Sequence, residues 1–126
     1  MNLSRKFVTA AAVAVTSVAG LAVSAPQASA ATTCYGGSVA INLPPNGYSS
    51  VYTTSSRCND INLRIDSGGG QWVAVCWAKY QTCQKDWTWV PEDVGYRVVA
   101  SDVLDGTTFY FVTTNGGGTR SGRTAY

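Results

Sequence analysis

A small all-β domain is what this sequence predicts: two antiparallel sheets sharing about seven strands, braced by two disulfides. Three observations carry that expectation. Beyond Ala30 no segment sustains an apolar 3.6-residue period, whereas short runs of β-branched and aromatic residues recur between turn formers. Turn signals return at intervals of roughly 8 to 12 residues, which suits a two-sheet sandwich or a small barrel, and the sandwich is favoured. Four cysteines in so short a chain supply the bracing.

The strands follow in order. Residues 38–43 form the first, ended by Pro44-Pro45-Asn46-Gly47, which cannot continue a ladder and is a turn sequence. Residues 48–53 form the second. Residues 60–66 alternate most cleanly, with Ile61, Leu63 and Ile65 on one face and Asn62 and Arg64 on the other, as a strand with one wet side requires. Gly68-Gly69-Gly70 breaks this strand. Residues 71–78 carry apolar side chains on both faces, Trp72, Ala74 and Cys76 against Val73, Val75 and Trp77, so this strand is central. Residues 87–90 form a short strand stopped by Pro91, which points to an edge. Residues 96–103 and 107–114 flank Asp105-Gly106, a type I′ hairpin signal. A two-residue turn there would pair Ala100 with Phe111 and set Asp102 on an otherwise apolar face, so either its carboxylate bonds backbone amides or a bulge shifts the register. Residues 115–126, with three successive glycines and two arginines, have little to bury and are expected to be mobile in the middle.

The first 30 residues have the three parts of a secretory signal. Arg5 and Lys6 are the positive start, residues 7–23 are an Ala- and Val-rich apolar run, and Ala28-Ser29-Ala30 is an A-x-A cleavage site. A membrane anchor is the competing reading, since the run of roughly 17 to 19 residues approaches a span. Thr9, Thr16, Ser17 and Gly20 weaken it, and no charged stop follows. Residues 1–30 are therefore expected to be a signal peptide and residues 31–126 a single β domain, free outside the cell. No cysteine adjoins the cleavage point, which speaks against a lipid anchor.

Removal of the first 30 of the 126 residues leaves 96, on which seven basic side chains balance seven acidic ones. A neutral domain without histidine has no polybasic surface for nucleic acid, and no imidazole for a catalytic triad or a zinc site. Cys34, Cys58, Cys76 and Cys83 are expected to be disulfide-bonded. Of the three pairings, Cys34 with Cys58 and Cys76 with Cys83 is favoured, because the last two are close enough to meet across a strand-turn-strand path; spacing leaves the other two open. The longer loop should be stabilised more by its bridge. A four-thiolate metal site fits neither the spacings nor an oxidising compartment.

The remaining catalytic side chains are Asp60, Asp66, Asp86, Glu92, Asp93, Asp102 and Asp105. Two carboxylates about 5 to 10 Å apart can cleave a glycosidic bond. Those at strand ends more often cap turns, and Asp102-x-x-Asp105-Gly106 lacks the oxygen spacing of an EF-hand calcium loop. No catalytic residue, metal or cofactor is expected.

The aromatic side chains are less easily assigned to folding alone, since 13 of them occur after residue 30. Trp72 or Trp77 is expected to be the main core tryptophan. Trp87 and Trp89, two apart in a strand, share a side, and Tyr48 and Tyr52 repeat the pattern four apart. Such a row either lines the core or forms a platform for sugar rings, with neighbouring polar groups bonding the hydroxyls.

The signal ending Ala28-Ser29-Ala30, the segment Arg57-Cys58-Asn59-Asp60-Ile61-Asn62-Leu63-Arg64, and then Val75-Cys76-Trp77 and Cys83 resemble small secreted disulfide-containing proteins of filamentous actinobacteria. The likeness covers most of the chain after the signal. It implies export and two disulfides and carries over no catalytic residue. In outline, though not in motif, the chain is also similar to small disulfide-braced β inhibitors of hydrolases; the Trp-Arg-Tyr tripeptide of the amylase inhibitors among them is absent here.

The expected function is a secreted, non-catalytic binding module for a polysaccharide or cell-wall glycan, with Trp87, Trp89, Tyr48 and Tyr52 as ligand-binding candidates. The alternative is an inhibitor of an extracellular protease or amylase, presenting loop 44–48 or 81–86 preorganised by a disulfide.

Overall fold

The computed structural model describes residues 33–126, so the expected signal peptide lies outside the described residues. These residues form one all-β unit of ten short strands, preceded by a single 3-10 turn at Tyr35–Gly37. We label the strands β1 (Val39–Leu43), β2 (Gly47–Tyr48), β3 (Tyr52–Thr53), β4 (Ile61–Ser67), β5 (Gln71–Trp77), β6 (Thr82–Cys83), β7 (Thr88–Val90), β8 (Arg97–Ala100), β9 (Thr108–Thr114) and β10 (Arg120–Ala125).

Two antiparallel sheets share them. In the first, β9 and β5 lie side by side at the centre, β2 and β3 in succession line the free edge of β9, and β6 and β7 line that of β5. The second has the order β1-β10-β4-β8. Their inner faces meet in a single core, with Val73, Val75, Val90, Phe109 and Phe111 from the first sheet against Ile41, Leu43, Ile61, Leu63, Ile65 and Val99 from the second. Ile61, Leu63 and Ile65 are fully buried as expected, but Asn62, expected on the wet side, is buried too, its carboxamide donating to the Asp60 and Ala125 carbonyls. Gln84, between β6 and β7, ties the sheets together by accepting from the Val75 amide at 2.8 Å and donating to the Val99 carbonyl at 3.0 Å.

Both disulfides form as favoured, Cys34–Cys58 and Cys76–Cys83, and the second pair sits directly across β5 and β6. The first anchors the start of the described chain, where Tyr35 stacks on Tyr96 and Arg64 lies over the Tyr96 ring.

Three expectations are corrected. The first is the hairpin at Asp105-Gly106: β8 pairs with β4 and β9 with β5, β2 and β3, so the two strands belong to different sheets. The turn itself exists, but Thr54 holds it. The Thr54 amide donates to the Thr107 carbonyl, its carbonyl accepts from Gly106, and its hydroxyl donates to Leu104 and accepts from Thr107. With both edges of β9 occupied, no edge remained for β8. Asp102 is correspondingly exposed, and its amide donates to the Asp60 carboxylate at 3.2 Å.

The second correction concerns the tail. Residues 120–125 form β10, an inner strand of the second sheet, paired on both sides. Its inward positions are Arg120, Gly122 and Thr124, which conceal the alternation that hydrophobic side chains would display. At the middle position no side chain fits. A Cβ on Gly122 would collide with the Arg64 carbonyl at the bulge between β10 and β4, and the Thr124 hydroxyl satisfies the Asn62 carbonyl at 2.8 Å.

The third is the strand at 48–53, which is two strands in different phase. Tyr48 pairs with Val112, yet Tyr52 pairs with Phe109, so four steps on one side answer three on the other. Ser49 bonds Phe111 through both its amide and its hydroxyl, leaving Ser50 and Val51 opposite the single Tyr110. This is a β-bulge, and one extra residue in a period of two turns the following side chains to the other face.

Candidate functional site

The outer face of the first sheet is where exposed aromatic side chains gather. In β5 the residues opposite the core are Trp72, Ala74 and Cys76; in β9 they are Tyr110, Val112 and Thr114. The register sets Trp72 between Thr114 on one side and Trp89 on the other. The Trp72 and Trp89 rings are in contact, with centroids 5.3 Å apart and planes inclined at 56°.

Trp87 completes a group of three. Together with Trp72, Thr114 and Asn115 it lines an open hollow of about 230 Å³. The three tryptophans are 40%, 44% and 43% exposed in the order Trp72, Trp87, Trp89. As expected from Pro91, β7 is an edge strand, paired with β5 alone. Edge placement leaves its outward Trp89 ring without a further strand to cover it.

Two glycine-rich turns border the hollow. Gly70 lies under the Trp89 ring, where a Cβ would collide with the indole, so only glycine lets the ring lie this close to the backbone. Asn115 takes the left-handed conformation at φ 58°, one that asparagine tolerates better than most residues. Arg120 joins the two turns from inside the protein. Its Nε and Nη2 donate to the Gly70 carbonyl at 3.1 and 2.8 Å, Nε also reaches Gly69, and Nη1 bonds the Gly118 carbonyl.

The four aromatic residues singled out from the sequence divide. Trp87 and Trp89 are both exposed and both neighbour Trp72, Trp87 across the hollow and Trp89 by ring contact, although Trp87 precedes β7 instead of lying in it. Tyr48 is 68% exposed on the same sheet face and meets Tyr110 edge-on at 5.6 Å. Val112 and Ala74 separate its strand from the far edge of β5, so Tyr48 stands about two strand spacings, roughly 10 Å, from Ala74. Tyr52 does not join them. The bulge turns it inward against Phe109, Phe111 and Tyr126, at 5.7, 6.5 and 5.3 Å. Burial, and secondarily the neighbouring Tyr126, raises the Tyr52 phenol above its ordinary value.

Of the two tryptophans between which the sequence left the core position open, Trp77 packs against the core and Trp72 is exposed. The signal was present in residues 71–78, because period two sets Trp72 opposite Val73 and Val75. Thr114 and Asn115 carry no such signal, since only the pairing of β9 with β5 brings them beside Trp72.

Asp60 receives the Asp102 amide, and Asp66 forms an ion pair with Arg64 at 2.7 Å on the outer face of the other sheet. The hydrogen bond from Arg64 holds the Asp66 carboxyl below its ordinary value. Among the described residues, no three Cys, Asp or Glu side chains gather as metal ligands would. The loops considered for inhibition are both held: Thr113 accepts from the Gly47 amide and donates to the Pro44 carbonyl, while Cys83 and Gln84 anchor 81–86.

Fold and site together define a class, a disulfide-braced antiparallel β-sandwich with a tryptophan-lined hollow on one outer face. Comparison with protein-family models, with curated proteins and with solved structures gave no match to this chain. Among the described residues no helix is long and apolar enough to cross a membrane, and the two disulfides are compatible with an extracellular protein.

Proposed function

We propose that this protein is a secreted, non-catalytic module that binds glycan through the tryptophan face of its six-stranded sheet. One observation carries the reading: Trp72, Trp87 and Trp89 converge on one outer face with two-fifths or more of their surface in water. A tryptophan covers roughly 150 to 250 Å², so the three leave about 200 to 300 Å² of largely apolar surface exposed. That approaches the size of patches that are often functional. At about 25 cal/mol per Å², covering it would release on the order of 5 to 8 kcal/mol before the costs of association.

A sugar ring suits such a surface, because its apolar face stacks on an indole while its hydroxyls reach Thr114 and Asn115 at the border of the hollow. Secretion rests on the signal-like residues 1–30 and on a cysteine set that is fully paired. Intact mass of exported material should give a chain starting at Ala31 with no free thiol.

The deciding experiment is Trp89→Ala, measured for both stability and retention on glycans. The expected result is lost retention with a stability cost below the roughly 3 to 5 kcal/mol of a core tryptophan. Full retention would overturn the reading, as would a cost in the core range. A parallel screen against secreted proteases and amylases tests inhibition through loop 44–48 or 81–86, and potent inhibition without glycan binding would replace this proposal.

A further inference from the structure

The shape and chemistry of the hollow narrow the ligand, on the premise that the glycan reading above is right. Trp72 and Trp89 are inclined at 56° with centroids only 5.3 Å apart. A flat crystalline polysaccharide surface can stack only on rings that share a plane. When either indole lies flat on such a surface, the other is tilted out of contact. The rings therefore form a corner rather than a plane.

The hollow beside that corner measures about 230 Å³, below the roughly 300 to 1,000 Å³ of pockets that enclose drug-sized ligands. That is space for about one sugar unit. Its lining is Trp72, Trp87, Thr114 and Asn115, with no charged side chain among them. An ionised sugar pressed onto the indoles would lose hydration without gaining a countercharge. Arg120 lies beneath the bordering turns, but it is 8% exposed and its guanidinium already donates to Gly69, Gly70 and Gly118. The Asn115 carboxamide offers two donors and an acceptor, and the Thr114 hydroxyl offers both functions, which matches sugar hydroxyls that donate and accept in turn.

We infer that the Trp72–Trp87–Asn115 hollow takes one unit of a soluble, uncharged glycan chain, and that crystalline polysaccharide faces and polyanionic glycans are not its ligands. Trp72 and Trp87 form the walls and Asn115 orients the hydroxyls. Asn115 also provides a clean variant. Its φ of 58° is open to glycine, so Asn115→Gly removes the carboxamide without straining the turn.

The test uses the exported protein with both disulfides intact. Tryptophan fluorescence and calorimetry measure binding of soluble neutral oligosaccharides, namely β-1,4-linked glucose, N-acetylglucosamine and xylose oligomers and α-1,4-linked glucose oligomers. Depletion measures binding to crystalline cellulose and chitin, and polygalacturonate and heparin serve as polyanions. The expected result is saturable binding of at least one neutral oligomer with a change in tryptophan emission. Asn115→Gly should weaken that binding about fivefold or more with an unchanged melting temperature. Binding to a crystalline polysaccharide without binding its soluble oligomers, tighter binding of a polyanion than of any neutral oligomer, or unaltered affinity in Asn115→Gly would each overturn this inference while leaving the glycan reading in place. Binding to none of these glycans would overturn the glycan reading itself.

Discussion

Arg120 is inward-facing, 8% exposed and, among the described residues, without a carboxylate partner, yet its charge is not left bare. Three glycine carbonyls surround the guanidinium, two from the turn between β4 and β5 and one from the turn between β9 and β10. Backbone oxygens can solvate a cation in this way because the guanidinium presents its donors in a planar fork. The same bonds satisfy carbonyls in turns that the strand ladders do not reach. Arg120→Met keeps the aliphatic stem and removes the donors, so it should cost roughly 2 to 4 kcal/mol in denaturant unfolding, with the Gly70 and Gly118 carbonyls losing their partner. Because Gly70 lies under Trp89, the emission of the folded variant should shift as well. Arg120→Lys should restore less than half of the loss, since one ammonium cannot replace the fork.

At the scale of elements, the break between β2 and β3 does more than shorten a strand. It puts Tyr48 on the wet face and Tyr52 in the core, and so lets one edge of β9 serve both surfaces of the sheet. Tyr52 then joins Phe109, Phe111 and Tyr126 in an aromatic cluster that holds the end of the chain. The Ser55 hydroxyl, two residues beyond β3, donates to the Tyr126 carbonyl at 2.8 Å. Burial raises both phenols, with Tyr126 further raising Tyr52 and Arg57 opposing the rise at Tyr126. A phenol whose folded value lies above its unfolded value near 10 binds its proton more tightly in the native state. Its contribution is therefore complete below about pH 10 and is lost as pH rises through the folded value. Stability should fall on the alkaline side of pH 10, and Tyr52→Phe should make that fall shallower. Denaturant midpoints measured between pH 8 and 11 check it.

For the whole molecule, the two sheets are joined mainly through apolar side chains, and the two disulfides brace different parts. Cys34–Cys58 spans 24 residues and ties the start of the described chain to the second sheet, whereas Cys76–Cys83 spans seven within the first. In the chain-entropy account these loops are worth about 3.5 and about 2.5 kcal/mol, so removing the longer one costs more by about 1 kcal/mol. Replacing both cysteines of each bridge by alanine should lower the melting temperature more for the Cys34/Cys58 pair than for the Cys76/Cys83 pair. Equal losses would point to strain or denatured-state structure as the larger effect.

What the sequence by itself determined was local. The period of two in residues 61–67 and 71–77 assigned faces correctly, the turn formers marked the breaks, and the short Cys76–Cys83 spacing found its pairing because those positions face each other across one turn. What only the tertiary structure decided was which edges pair and where the phase slips. An Asp-Gly turn has no bearing on whether Thr54 will fill the slot beside it, and β8 went to β4 because β9 already had neighbours on both edges. The segment Arg120-Ser-Gly-Arg-Thr-Ala is polar by composition, and becomes an inner strand because its small inward residues fit between Ile41 and Ile65 while Arg120 finds carbonyls at the end. Tyr52 left the expected row through a single bulge, and Thr114 and Asn115 entered the site through cross-strand pairing. Side-chain direction is encoded every two residues along the chain, but partner choice is a competition among distant edges, settled only when all the strands are in place.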